Sequence, residues 1–285
     1  MNITLREARA VDAAACGRIC YQAFAAIAHA HNFPADFPDV AIATGLLADR
    51  LARAGSYARV AEVDGRIAGS IFVDGRGAIW GVGPLTVDPA VQNRGIGEQL
   101  LRAALAHAEE HSPAGVRLVQ AGYHCRSLAL YSKLGFEVRQ HLCCLSGTPI
   151  RGERGGSVVR AAGARDLPAC NALAVRVHGH HRGEQLQEAI AQGTATVIER
   201  GERITGYATQ IAFFGHAVGE TTDDLKALIG AAKSYAGPGF LVPSGNGELL
   251  RWCLANGLRI TQPLTLMTLG LYNEPAGAYL PSVLY

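Results

Sequence analysis

Apolar residues recur with two different spacings along this chain, and the order of the two spacings repeats. Residues 4–16 (TLREARAVDAAAC) read as a short strand running into a helix, with Asp12 placed to cap the first free helical N–H groups. The same pattern returns at 158–170 (VVRAAGARDLPAC), where Arg6/Arg160, Ala8/Ala162, Ala10/Ala164, Asp12/Asp166, Ala15/Ala169 and Cys16/Cys170 coincide without a gap. Farther on, 64–74 (DGRIAGSIFVD) and 201–211 (GERITGYATQI) each read as a hairpin turn followed by a strand with period-2 alternation. A helix closing on a glycine then appears twice, as YSKLGF (131–136) and CLANGL (253–258). Matched segments in one order predict two copies of one α/β unit, 1–148 and 157–285, joined by a polar, glycine-rich linker at 149–156.

The copies differ at one place. In the first, Leu85–Val87 reads as a strand, Gln92–Gly97 as a loop and Glu98–His111 as an amphipathic helix. In the second, AVGE (217–220) leads into a helix over 221–235 opened by Thr222, Asp223 and Asp224. That helix start is self-capped and negative, and should repel a phosphate. The first copy offers the opposite: free N–H donors at a helix N-terminus attract anions, and Gly95 and Gly97 let a bulky ligand approach the backbone. Gln92 and Arg94 add side-chain donors, so the loop suits a pyrophosphate; the plainer reading is a loop that only turns. Neither the Gly-Lys-Ser/Thr of a P-loop nor the third glycine of a dinucleotide fingerprint is present.

Composition narrows the partners. The 285 residues are 49% hydrophobic and 18% charged, which suits a globular chain. A net charge of +2 argues against nucleic acid or an anionic membrane as a partner. No apolar run approaches the ~18–20 residues of a membrane span, and the start has acids where a signal peptide would have a basic region and an apolar run, so a cytoplasmic location is expected. Seven cysteines without zinc-type spacing read as free thiols, with Cys143 and Cys144 in a buried strand. No metal is expected, and HGHHR (178–182) reads as an exposed polar loop.

The stretch GPLTVDPAVQNRGIGEQLLRAALAHAEEH, followed in order by LYSKLGF, resembles the acetyl-CoA motifs of the GCN5-related N-acetyltransferase (GNAT) family. The resemblance implies an α/β (α+β) tandem fold, each half a mixed, mostly antiparallel central sheet flanked by helices, with one surviving cofactor site. It implies acetyl-CoA as co-substrate, with its pantetheine arm along Leu85, Thr86 and Val87. Gln92, Asn93, Arg94, Gly95, Ile96, Gly97 and Glu98 would wrap the pyrophosphate. It makes Tyr131 the general acid, and it places His124 where the family often has asparagine. The implied reaction is direct acetyl transfer to the primary amine of a small molecule, by a monomer (itself a pseudo-dimer) or a homodimer. The alternative is an inactive acyl-CoA-binding sensor.

The chemistry needs a neutral amine. An amine of pKa ~10.4 costs about 4.6 kcal/mol to deprotonate at pH 7, so a base or a desolvated pocket should help. The strand segment 78–87 (AIWGVGPLTV) holds no acid, and Asp74 and Asp88 are the nearest carboxylates, Asp88 in a turn. Gly81, Gly83 and Pro84 predict a bulge that splays the sheet. The segment 21–40 (YQAFAAIAHAHNFPADFPDV) is expected to select the acceptor, with His29 or His31 as candidate base. Phe33 and Phe37 would line the pocket or cover the core edge. The tail 272–285 is an arm reaching the active copy or a stapled terminus.

Overall fold

The matched arginines and aspartates of the two repeats make the same contacts. Arg6 grips Asp12 through two bonds of 2.7 and 3.0 Å, and Arg160 grips Asp166 at 2.7 and 2.8 Å. Neither aspartate caps its α-helix, as the sequence had suggested. Each carboxylate reaches back three residues, to the N–H of Arg9 or Gly163, and closes a 3-10 turn before the helix. The arginine is the reason: it claims the carboxylate and turns it away from the helix start. Asp166 is buried, and its pKa is drawn down to about 2, chiefly by the Arg160 hydrogen bond. This stabilisation is complete above the ordinary carboxylate value of about 4 and is lost as pH falls toward 2. Asp166→Asn is expected to cost about 2 kcal/mol at pH 7 and to flatten the acid limb of a stability–pH curve; acid denaturation followed by circular dichroism checks both.

The computed structural model describes residues 2–151 and 158–284; most of the expected linker, 152–156, lies outside the described residues. The first copy runs β1 (Ile3–Glu7), α1 (Ala13–Ala30), α2 (Val40–Ala52), β2 (Ser56–Val63), β3 (Arg66–Asp74), β4 (Ile79–Val87), α3 (Ile96–His111), β5 (Gly115–Ala121), α4 (Cys125–Lys133) and β6 (Glu137–Ser146). The second runs β7 (Val158–Ala161), α5 (Leu167–His178), α6 (Gly183–Ala191), β8 (Thr196–Arg200), β9 (Arg203–Ala208), β10 (Ala217–Gly219), α7 (Thr222–Ala231), β11 (Phe240–Pro243), α8 (Gly247–Ala255), β12 (Arg259–Gly270) and β13 (Ala278–Leu280). Two helices differ from their expected bounds. α3 starts at Ile96, so Gly97 falls in its first turn, and α7 stops at Ala231 because Ala232 turns extended and Tyr235 accepts a hydrogen bond from Ile150 N–H.

The copies do not keep separate sheets. One eight-stranded sheet has the order β1-β2-β3-β4-β5-β12-β6-β11, and a five-stranded sheet has the order β13-β10-β9-β8-β7. β12 of the second copy lies between β5 and β6 of the first, and β6 lies between β12 and β11. Each copy therefore lends the other its strand after the fourth helix, and the halves share one continuous ladder. Strand alternation assigns the layers. Ile71 and Val73 face α3 and Tyr131, while Phe72 and Val60 face α1 and α2. Among the described residues, no helix is long and apolar enough to cross a membrane.

Candidate active site

β4 and β5 run parallel and pair only at Ile79↔Gly115, Trp80↔Val116 and Gly81↔Arg117. Beyond Gly81 they part. On the other side of β4, Val73 pairs with Val82 and Ile71 with Leu85, so Gly83 and Pro84 together oppose Phe72 in a bulge that bends the strand. The gap is a cleft of about 600 Å3. Asp88 N–H bonds Ala68 O on the β3 side. Alternation along the strand then turns the N–H and C=O of Leu85 and Val87 toward the cleft, and Val87 O accepts a 3.0 Å bond from Gln92 Nε2 there. Thr86 also lines the cleft, buried, with its hydroxyl 3.4 Å from that of Ser70.

α3 opens onto this cleft. Its N-cap is Gly95 at φ +81°, left-handed backbone that favours glycine, and no side chain caps it. The first-turn N–H groups of Ile96, Gly97 and Glu98 are beyond the reach of intrahelical carbonyls, which leaves them free for an anion. Glu98 would oppose an anion, but Arg102 pairs with it at 2.8 Å. In the second copy the equivalent helix start is closed: Thr221 and Asp224 cap each other, and Asp224 also holds Arg200 and Thr205.

Of the loop residues, Gln92, Asn93, Gly95, Ile96, Gly97 and Glu98 line the cleft; Arg94 is exposed and outside the lining. A different arginine stands there. Arg126, in the first turn of α4, bonds Asn93 Oδ1 at 2.7 Å and Gln92 Oε1 at 3.2 Å and faces the cleft mouth. No sequence pattern marks it, because it meets the loop only through the fold. His124 is the N-cap of α4: its Nδ1 accepts from Ser127 N–H at 2.9 Å. Burial holds its pKa below the ordinary value, so the ring is neutral at pH 7 and Nε2 carries the proton. Tyr131 is buried at the cleft wall, and burial pushes its phenol up to about 12. Gln120 on β5 also lines the cleft; it is 6% exposed, yet neither atom of its amide has a partner.

The far end of the cleft is built by both copies. Phe37 lines it, whereas Phe33 stacks on Tyr123 at 4.2 Å outside the lining. His29 and His31 are exposed at and just beyond the end of α1 and do not line the cleft, since the helix carries them past its rim. The carboxylate at this end of the cleft is Asp36, in the loop after α1. Burial raises its pKa, and Gln262 of β12 donates to it at 2.9 Å. Asp74 is instead committed to Arg50 and Arg76, and Asp88 caps its own turn through Ala90 N–H. The tail reaches the site as an arm: β13 pairs with β10, and Val283 and Leu284 line the cleft.

Two side features differ from expectation or lie apart. HGHHR is mostly not exposed: His180 is buried, His178 sits edge-on to Tyr279, and burial with neighbouring cations pushes them down to about 4 and about 3. His107, Glu110 and His111 come within metal-ligand reach of one another near the end of α3, roughly 16 Å along the helix from Ile96.

A parallel strand pair splayed open beneath a glycine-capped helix defines a GNAT-type acyltransferase fold, here in tandem with the strands of the copies exchanged. Residues 54–138 match the family model of the acetyltransferase (GNAT) domain. A protein from Pyrococcus horikoshii described as a candidate acetyltransferase has the same fold (TM-score 0.75) at 17% identity, over 97% of this chain and 94% of that one. A GCN5-related N-acetyltransferase from Sphaerobacter thermophilus aligns at TM-score 0.63 and 16% identity, over 95% and 96%. A tandem GNAT protein from the clavulanic acid biosynthesis pathway aligns at 0.59 and 14%, over 99% and 100%. No curated protein matches the chain. Residues 54–138 thus match a GNAT domain, and the chain as a whole has the fold of these tandem structures.

Proposed function

We propose that the chain is an acetyl-CoA-dependent N-acetyltransferase whose acceptor is the primary amine of a small molecule. The observation that carries this reading is the contrast between the copies. One helix start is uncapped and opens into a splayed sheet beside a buried tyrosine; its counterpart is closed by its own aspartate. Three features fit CoA: free first-turn amides, the bare backbone of Gly97 in the cleft lining, and the unpartnered Gln120 amide in the wall.

Acetyl-CoA, when bound, supplies an activated acyl thioester. The α3 amides with Arg126 hold the pyrophosphate, and the cleft-facing edge of Leu85 and Val87 with Gln120 holds the amides of the pantetheine arm. An amide near Val82–Leu85 polarises the acyl carbonyl, and Pro84 has no N–H to offer. His124 donates from Nε2, and Tyr131 keeps its proton available to the departing sulfur. Arg126→Ala is expected to weaken acetyl-CoA binding roughly tenfold, with the difference shrinking as salt rises; calorimetric titration at two ionic strengths checks it.

The test of the reaction is thiol release from acetyl-CoA in the presence of a panel of primary amines. Release that depends on the amine supports an acetyltransferase. Tight acetyl-CoA binding with no release for any amine would make the chain an acyl-CoA-binding module instead.

A further inference from the structure

The far end of the cleft carries a chemistry of its own. Four phenylalanine rings run in sequence along it: Phe24 to Phe37 at 5.7 Å, Phe37 to Phe214 at 6.5 Å, and Phe214 to Phe213 at 5.5 Å. The first two belong to one copy and the last two to the other, and all four line the cleft. The segment bearing Phe213 and Phe214 is pinned by the C-terminal arm, with Val283 N–H on Phe213 O at 2.9 Å and Ser282 Oγ on Phe214 O at 3.1 Å.

One charge sits in this apolar end. Asp36 is oriented by a relay in which Tyr123 O–H donates to Gln262 Oε1 at 3.3 Å and Gln262 Nε2 donates to Asp36 Oδ1 at 2.9 Å. Among the described residues no lysine or arginine pairs with Asp36, and its second oxygen has no protein partner. A half-buried carboxylate with one neutral donor is under-compensated, and a cation is the ligand that corrects this.

Resting on the acetyltransferase reading, we infer that the acceptor is an amine that arrives as a monocation with an apolar, aryl-sized body, its ammonium held on Asp36, which takes the proton before the neutral nitrogen attacks, and its body between the phenylalanines. The aromatic faces add cation–π attraction for the same charge. The lining also excludes neighbouring classes. A polyamine needs a second carboxylate, and the other acid in the lining, Glu98, is paired with Arg102 at α3. An amino acid needs a cation for its carboxylate, but the two in the lining, Arg126 and Lys133, both stand on α4 rather than on the segments that carry Asp36 and the phenylalanines, and Arg126 is bonded to the cofactor loop.

The experiment is calorimetric binding of 2-phenylethylamine, 2-phenylethanol, spermidine and phenylalanine, each with and without CoA. The amine is expected to bind at least tenfold tighter than the other three. Asp36→Asn should cost the amine at least tenfold and the alcohol nothing; Phe214→Ala, at a partly exposed position, should weaken both. Equal amine affinity in Asp36→Asn, or a preference for spermidine or phenylalanine, overturns the inference. Acetyl-CoA binding is titrated separately. Its loss alone would sink the enzyme reading and leave this pocket standing, whereas its retention without amine preference would sink only the pocket.

Discussion

Replacing Gly97 by glutamate is expected to abolish acetyl-CoA binding while leaving the fold intact. Gly97 lies in the first turn of α3 with no left-handed backbone requirement, and a Cβ there would meet Val87 Cγ2 at 3.6 Å and Leu130 Cδ2 at 3.8 Å, ordinary contacts. The position tolerates a side chain; the cleft does not. Everything past Cβ must enter the slot between β4 and α4, and the new carboxylate takes the N–H groups and the positive helix end that an incoming phosphate needs. The same carboxylate favours the ligand-free helix by a few tenths of a kcal/mol, so the unfolding midpoint should hold or rise slightly. Affinity should fall at least a hundredfold, about 2.7 kcal/mol. Acetyl-CoA at 100 times its dissociation constant should raise the midpoint of the unaltered chain by several degrees, and that rise should vanish in the variant. A rise preserved in Gly97→Glu would mean that the loop only turns. Gly95 offers no such test, because at φ +81° any side chain is strained before a ligand arrives.

The repeat is legible in the sequence because its markers act locally. Arg6 and Asp12, and Arg160 and Asp166, are six residues apart and make the same bond in both copies. The candidate anion site is legible for the same reason: a glycine cap and an uncapped first turn are properties of a few consecutive residues. Strand exchange is not, since β6 and β12 keep the same alternation whichever copy they join, and only the pairing partner changes. Asp36 is invisible to a motif search because its meaning comes from Gln262, 226 residues away. His29 and His31 attract attention by residue type, but a residue type does not say where a helix end will leave it. HGHHR misleads through its polarity. His178 and His180 are carried inward at the end of α5, His178 edge-on to Tyr279, and burial keeps both neutral.

Tyr131→Phe is expected to lower kcat by roughly a hundredfold to a thousandfold while acetyl-CoA affinity stays within about threefold, since a positioned proton donor is worth 10²–10⁴ in rate. The substitution removes one oxygen and keeps the ring, whose edge contact with Phe136 at 6.1 Å survives, so no cavity opens and the unfolding midpoint should hold. Burial pushes the phenol up to about 12, which at first sight makes it a reluctant acid. The thiolate it serves leaves into the same water-poor cleft, and desolvation raises a thiol and a phenol in the same direction. Their ordinary separation of about 1.5 units is therefore largely kept, and a hydrogen bond from Tyr131 to the departing sulfur remains favourable. The raised value also fixes the pH profile. The proton is retained far above neutrality, so the unaltered enzyme should gain rate as the amine deprotonates, with no descending limb below about pH 10. A thiol-release assay across pH and a calorimetric titration of acetyl-CoA measure the two quantities separately. Unchanged turnover in the phenylalanine variant would reduce Tyr131 to a core aromatic, and a joint loss of turnover and affinity would make it part of the cofactor wall rather than the acid.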